Sequence, residues 1–175
     1  MNIKLIEPSL EYVEDIWKFR QEIIDSNDVD KFAGCGTLDS STSAKEWIDT
    51  TKLRSNPETC PHDRVPSNIY LAVRLSDNKI VGIIDLRHHI NHPVLSTWGG
   101  HIGYYVRPDE RRKGYAKEML RQNLMNCKRL GINSVLVTCD ASNHASEKTI
   151  LANGGVFEKE INVDGEIMKR FWITL

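Results

Sequence analysis

Residues 99–131 read GGHIGYYVRPDERRKGYAKEMLRQNLMNCKRLG, and their order dictates a strand, a tight basic turn and a helix. His101 to Val106 is dense in aromatic and β-branched residues, which favour a pleated strand. Pro108 has no N–H to give to a ladder, so the strand should stop before it. From Gly114 onward, Ala116, Leu120, Leu124 and Cys127 recur at helical spacing, with Met119 beside them. Lys128 and Arg129 fill the last turn, and Gly131 stands where a left-handed cap belongs. Between the two elements lies Arg111-Arg112-Lys113-Gly114-Tyr115-Ala116.

That turn has the makings of an anion site. The first amides of a helix have no intrahelical acceptor, and the helix dipole adds partial positive charge there. Gly114 and Ala116 carry little or no side chain, so a phosphate can come close to the backbone. Three consecutive cations oppose the usual preference for acidic residues at a helix start, and they suit a ligand with more than one phosphate. The phosphate loop G-x-x-x-x-G-K-[ST] and the dinucleotide pattern G-x-G-x-x-G are both absent.

Arg111, Gly114 and Ala116 fill the pattern R/Q-x-x-G-x-G/A, and downstream follow Asn143-His-Ala-Ser146 and Gly154-Gly155-Val156-Phe157. Together with the preceding Gly-Tyr-Tyr-Val-Arg-Pro, these blocks resemble the cofactor motifs of the GNAT superfamily of acyl-CoA-dependent N-acyltransferases. The likeness covers Ile69 to Phe157 well and the first half of the chain poorly. It implies an α/β fold: a mixed, largely antiparallel sheet of six to seven strands with a parallel, splayed central pair, flanked by about four helices. It implies one acyl-CoA N-acyltransferase domain over 1–175. Residues 1–68 would supply acceptor-side helices and loops, 69–157 the cofactor-binding core and 158–175 a C-terminal hairpin.

Composition agrees with an ordinary globular domain: 175 residues, 40% hydrophobic and 27% charged, with a formal net charge of −1. No global field for polyanions exists, which weighs against nucleic-acid binding through Arg107, Arg111, Arg112 and Lys113. Cys35, Cys60, Cys127 and Cys139 form no C-x-x-C pair, so free thiols in a reducing compartment are expected. Lys4, Glu7, Glu11 and Glu14 interrupt the N-terminus as no signal peptide would allow, and no apolar run is long enough to cross a membrane. A cytoplasmic location follows as the expectation.

In chain order, Asn2–Ile6 suggests a short strand. Ser9 can cap a helix carrying Tyr12, Val13, Ile16, Trp17, Phe19, Ile23 and Ile24. A second helix is expected from Ser43 or Ala44 to Leu53. The segment from Asn56 to Asn68 holds three of the six prolines and should be irregular. Strands are expected at Ile69–Leu75 and Ile80–Leu86 across a Ser76–Lys79 turn, and at Ile132–Thr138. The helix between His101–Val106 and Ile132–Thr138 then serves as a βαβ crossover. Asp140, Ser142 and Asn143 can cap a further helix. Val163-Asp164-Gly165 turns a final hairpin of Val156–Asn162 and Glu166–Thr174.

Acetyl transfer to an amine needs a neutral nucleophile, yet a lysine-like amine has a pKa of ~10.4, so a base is required. The resemblance implies that the backbone of Tyr104, Tyr105 and Val106 pairs with the pantetheine arm of acetyl-CoA. The N–H of Val106 or a neighbour would then face the thioester oxygen. It implies that Arg111, Arg112, Lys113, Gly114, Tyr115 and Ala116 take the diphosphate chiefly through amides, with Asn143 and Ser146 beside the pantetheine amide. On chemistry alone Asn143 is a helix cap. His101 occupies the place of a glutamate found in several members and is one candidate base; Asp85 is the second. Where many members hold a tyrosine that protonates the leaving thiolate, this chain has Ile150. Tyr104, Tyr105 and Tyr115 are candidate substitutes, and a non-catalytic acyl-CoA-binding module is the alternative function. His88, His89 and His92 lack a metal-site pattern, since Asn91 and Pro93 break a helix there, so no metal is expected. The acceptor is a small-molecule or peptide amine, with neither nucleic acid nor membrane as partner. The family's habit adds a homodimer as one arrangement.

Overall fold

A computed structural model describes residues 2–175. The chain runs β1 (Ile3–Ile6), α1 (Val13–Asp25), α2 (Ala44–Ser55), β2 (Ser67–Arg74), β3 (Lys79–Arg87), β4 (Tyr104–Val106) and α3 (Tyr115–Arg129). It continues through β5 (Ser134–Asp140), α4 (His144–Leu151), β6 (Val156–Val163) and β7 (Glu166–Thr174). The strands form two antiparallel sheets, in the orders β1-β2-β3-β4 and β5-β7-β6. This is the expected mixed α/β architecture, with the sheet parted between β4 and β5. The crossover helix α3 connects those two strands, and the one backbone bond across the parting among the described residues runs from His101 N–H, in the segment leading into β4, to Leu136 O, at 2.8 Å.

Side-chain spacing explains the layers. On α1, Ile16, Phe19 and Ile23 are buried, and on α2 Ala44, Trp47, Ile48 and Thr51, each set on one helical face. Ser43 caps α2 by accepting the Glu46 N–H at 3.1 Å. These two helices pack with Leu71, Val73, Ile83 and Tyr105 on one face of the first sheet. On the other side Met119, Leu120, Leu124 and Cys127 of α3 join Ala72, Ile84, Leu86, Val135, Val137 and Phe171, uniting both sheets in a second core. The four cysteines are buried and free.

Boundaries shift in instructive places. The strand expected over His101–Val106 is regular only from Tyr104, because the Gly103 N–H goes to the Asp85 carboxylate and the His101 N–H to Leu136 instead of to the β3 backbone. Between β3 and β4 lies a five-residue π turn, Leu95–Gly99. Arg107, grouped from sequence with the exposed cations, is fully buried. Its guanidinium pairs with Asp15 (2.8 Å) and Glu22 (2.5 Å), donates to the Ile80 carbonyl (2.7 Å) and stacks 5.0 Å from the Phe19 ring centre. It ties α1 to the first sheet and contributes nothing to a surface patch. Replacing Arg107 with Ala strands two carboxylates and a carbonyl, so a loss of ~3–5 kcal/mol is expected in urea unfolding.

Candidate functional site

The α3 helix opens at Gly114, whose φ of +82° suits glycine, after Arg112 at φ +61°. No side chain caps it. Among the described residues, the N–H groups of Arg112, Lys113, Gly114, Tyr115, Ala116 and Lys117 meet no protein acceptor. Six consecutive amides at the positive end of a 15-residue helix therefore face solvent. The basic triplet splits its labour. Arg111 forms a two-pronged ion pair with Asp28 and donates to the Val106 carbonyl at 3.2 Å. Lys113 pairs with the buried Glu110 at 2.9 Å, leaving Arg112 as the cation of the three without an ion pair. Tyr115 turns inward, its hydroxyl accepting from Arg74 at 3.1 Å, so only its amide faces the turn.

The gap between the sheets has polar walls. Arg107 N–H bonds Val81 O (2.9 Å) and Asp85 N–H bonds Gly103 O (3.0 Å). By the alternation of an antiparallel ladder, odd residues of this segment face β3, while the N–H groups of Tyr104 and Val106 face the gap. Opposite them, Leu136 presents both its N–H and C=O toward His101, so the N–H and C=O of Thr138 share that edge. None of these Tyr104, Val106 and Thr138 N–H groups finds a partner among the described residues. Such a slot matches a chain that carries its own amides. Tyr104 and Tyr105 point to opposite faces, Tyr104 toward α4 and Tyr105 into the α1 and α2 core.

Beyond β5, Asn143 caps α4 by accepting the Ser146 N–H at 3.0 Å, and its amide reaches Asp30 at 3.2 Å. The Ser146 hydroxyl lies 2.7 Å from that of Tyr104. Burial pushes the Tyr104 phenol well above its ordinary pKa, keeping it protonated. One turn further along α4, Ile150 is fully buried and carries no proton to give.

At the corner preceding β4, side chains stand in for rungs of the ladder. Asp85 is buried and accepts the Gly103 N–H at 2.5 Å, while its own carbonyl accepts from the buried Asn123 at 2.8 Å. Its second oxygen pairs with Arg87 at 3.0 Å. Burial pushes the Asp85 carboxyl above its ordinary pKa, against the pull of Arg87. His101 is also buried, and its Nδ1 accepts the Leu136 N–H at 2.9 Å. An amide can only donate, so Nδ1 keeps its lone pair and the proton sits on Nε2. Burial, reinforced by the Arg87 charge, pushes the imidazole down to about 4.

The loop that follows α1 is pressed onto this corner. A Cβ on Gly34, at φ +72°, would lie 2.2 Å from the Gly103 carbonyl oxygen, so the two backbones touch. The Trp47 indole fixes the loop by donating to Cys35 O at 2.8 Å. Asp28 meets both Arg111 and the Tyr105 hydroxyl, and the Arg111 guanidinium holds its carboxyl far below the usual range. Sequence reasoning missed the links Asp28–Arg111 and Asp30–Asn143; no local pattern ties a loop aspartate to a partner some 80 or 110 residues away. Of the loop histidines, His88 bonds Asn68 at 2.7 Å. No group of three or more His, Cys, Asp or Glu placed to hold a metal exists among the described residues, and none of their helices is long and apolar enough to cross a membrane.

The profile of the acetyltransferase (GNAT) domain matches residues 3–156. No curated protein matches by sequence. Solved structures with this fold include an N-acetyltransferase from Staphylococcus aureus Mu50, at 17% identity and TM-score 0.67, covering 99% of both chains. The microcin C7 self-immunity acetyltransferase MccE, solved with acetyl-CoA and AMP, aligns at 16% identity and TM-score 0.69 over 99% of this chain and 93% of its own. RimL, a ribosomal L7/L12 α-N-protein acetyltransferase solved with coenzyme A, aligns at 14% and 0.69 over 100% and 95%.

The His101 environment has a measurable consequence. The folded state holds the imidazole neutral down to about pH 4, whereas an unfolded histidine protonates near ~6.5. Its contribution is therefore complete above the unfolded pKa and declines as pH falls from there toward 4. Between pH 7 and pH 5 the wild type should lose on the order of 2 kcal/mol more unfolding free energy than His101→Asn, measured by urea titration at each pH.

Proposed function

Because the chain belongs to the GNAT acetyltransferase family, an acetyl-CoA-dependent one, we propose that it moves the acetyl group to a primary amine by direct attack within a ternary complex. The observation that carries this reading is a pair of unpartnered amide groups on neighbouring elements. One lies on the edge of β4 at Tyr104 and Val106 and one at the opening of α3 at Arg112–Lys117, separated by the bonded amides of Arg107, Glu110 and Arg111. The first group suits the amides of a pantetheine arm and the second a diphosphate, with Arg112 free to add charge. Asn143 and Ser146 flank the same gap from α4.

In this mechanism the Val106 N–H meets the thioester oxygen, where negative charge develops. The amine nitrogen attacks the carbonyl carbon; the new C–N bond forms as the C–S bond breaks. Of the two candidate bases, His101 has Nδ1 committed to an amide and is a weak base at neutral pH. Asp85 is the better proton acceptor, through a water, because burial makes its carboxylate more basic and its oxygens retain acceptor capacity. The departing thiolate, whose acid has a pKa of ~8.5, needs little help; the Tyr104 hydroxyl beside Ser146 can donate a hydrogen bond to it. The acceptor enters from the α1–α2 side, where Gly34 meets Gly103.

Calorimetry with acetyl-CoA and with CoA tests the cofactor half: both should bind, and Gly114→Val should weaken each at least ~10-fold by straining a left-handed position and crowding the amides. Failure of the wild type to bind either at millimolar concentration ends the reading. Thiol release in the presence of a panel of primary amines tests the chemical half. Asp85→Asn should lower kcat by ~100-fold or more with CoA affinity unchanged, and recover part of it as pH rises and the amine loses its own proton. Tight CoA binding with no amine-dependent release from the wild type would favour the non-catalytic module.

A further inference from the structure

We infer that His101 is a positioning residue whose imidazole terminates the pairing of β4 with β5 and so fixes where the acyl-donor slot begins. The hydrogen bonds around Leu136 carry this role. Once His101 N–H bonds Leu136 O, a parallel ladder requires the Leu136 N–H to bond the carbonyl of residue 99. That carbonyl, on Gly99, is already held by the Arg87 guanidinium at 2.8 Å, which also holds Gly100 O at 3.1 Å. The His101 ring fills the vacancy, and its Nδ1 takes the Leu136 N–H at 2.9 Å.

The next rung is diverted as well. It would join Thr138 N–H to His101 O and Gly103 N–H to Thr138 O. Instead His101 O accepts the Arg87 N–H at 2.8 Å, and Gly103 N–H goes to the Asp85 carboxylate at 2.5 Å. The His101 carbonyl and both backbone groups of Gly103 thus point back to β3. Thr138 and Leu136 alone remain on the far wall. Leu136 is fully buried, so its amide must be satisfied inside the protein, and His101 does so without drawing the strands together. Backbone contact supports the same point of divergence: a Cβ on Gly100 would sit 2.7 Å from Leu136 O. The strands touch at 100–101 and separate beyond it. Loss of the imidazole leaves two outcomes for the Leu136 amide, an unpaired buried donor or a shift of β5 toward β4, and both narrow or disorder the slot.

The effect on the acyl donor rests on the proposed function; the hydrogen bond does not. Hydrogen exchange at Leu136 therefore reads the device directly, and CoA calorimetry reads its consequence. The comparison is among wild type, His101→Ala and His101→Asn, whose Oδ1 can occupy the place of Nδ1 but cannot take up a proton near neutral pH. The Leu136 amide should be protected in wild type and His101→Asn and exchange at least ~100-fold faster in His101→Ala. CoA should bind at least ~10-fold more weakly to His101→Ala, with the KM for the amine changed less and binding restored by Asn. Unchanged Leu136 exchange in His101→Ala overturns the inference. A His101→Asn enzyme that loses Leu136 protection and CoA affinity as fully as His101→Ala also overturns it, since Oδ1 then fails to replace Nδ1 as the acceptor. Failure of wild-type CoA binding, with the exchange pattern as expected, sinks the proposed function and leaves the positioning role standing.

Discussion

Everything in this molecule follows from one hydrogen-bonding constraint: two neighbouring strands must be held side by side without pairing. Left to themselves, β4 and β5 would zip together, since each presents an edge of backbone donors and acceptors. A single backbone bond among the described residues crosses the parting, from His101 N–H in the segment leading into β4 to Leu136 O, and the groups that would form the following rungs are claimed by Arg87 and Asp85 on β3. No buried side-chain nitrogen or oxygen among the described residues is left without a partner. The buried side chains around the gap are therefore satisfied, and the N–H groups of Tyr104, Val106 and Thr138 along its edges are the ones without a protein acceptor.

Holding such a gap open requires both sheets to be anchored elsewhere. The core of Met119, Leu120, Leu124, Val135, Val137, Ile150 and Phe171 spans the two sheets beneath the gap and keeps them in one body. On the other face, α1 and α2 bury Phe19, Trp47 and Leu71 against the first sheet alone. The helix α3, which opens on the unpartnered amides of Arg112–Lys117, is thus seated in the part of the core common to both sheets. Its buried Asn123 reaches the Asp85 carbonyl, linking α3 to the corner where the strands part. Rigid seating matters because an amide cluster binds an anion well only when it is already oriented.

The sequence made much of this legible, for a physical reason. Helix faces, the Gly114 start, the Gly131 stop and the Asp164-Gly165 turn are local signals, and each appears where its chemistry places it. Arg107 shows the limit. Read beside Arg111–Lys113 it looks like one more surface cation, yet strand alternation sets it on the same face as Tyr105, facing α1. Alternation was the available signal, and charge type obscured it. Asp85 and His101 were identifiable as polar residues near a strand pair, but their partners, Gly103 N–H and Leu136 N–H, depend on which backbone groups other strands have already claimed. That information is non-local and no periodicity encodes it.

The loop that follows α1 closes the argument about access. Asp28 holds Arg111 from the β4 side, and Asp30 holds Asn143 from the β5 side, so one short segment touches both walls of the gap. The Asp28–Arg111 pair lies at the surface, with the arginine side chain 39% exposed, and pairs of that kind contribute ~0–1 kcal/mol. Arg107, by contrast, is locked among two carboxylates and a carbonyl in the interior. The two arginines flank Pro108 within five residues, and the difference in burial assigns them opposite duties. Arg107 fixes the frame, while Arg111 binds a half-buried carboxylate that the Tyr105 hydroxyl also holds, on a two-pronged donor whose geometry suits any anion of that shape.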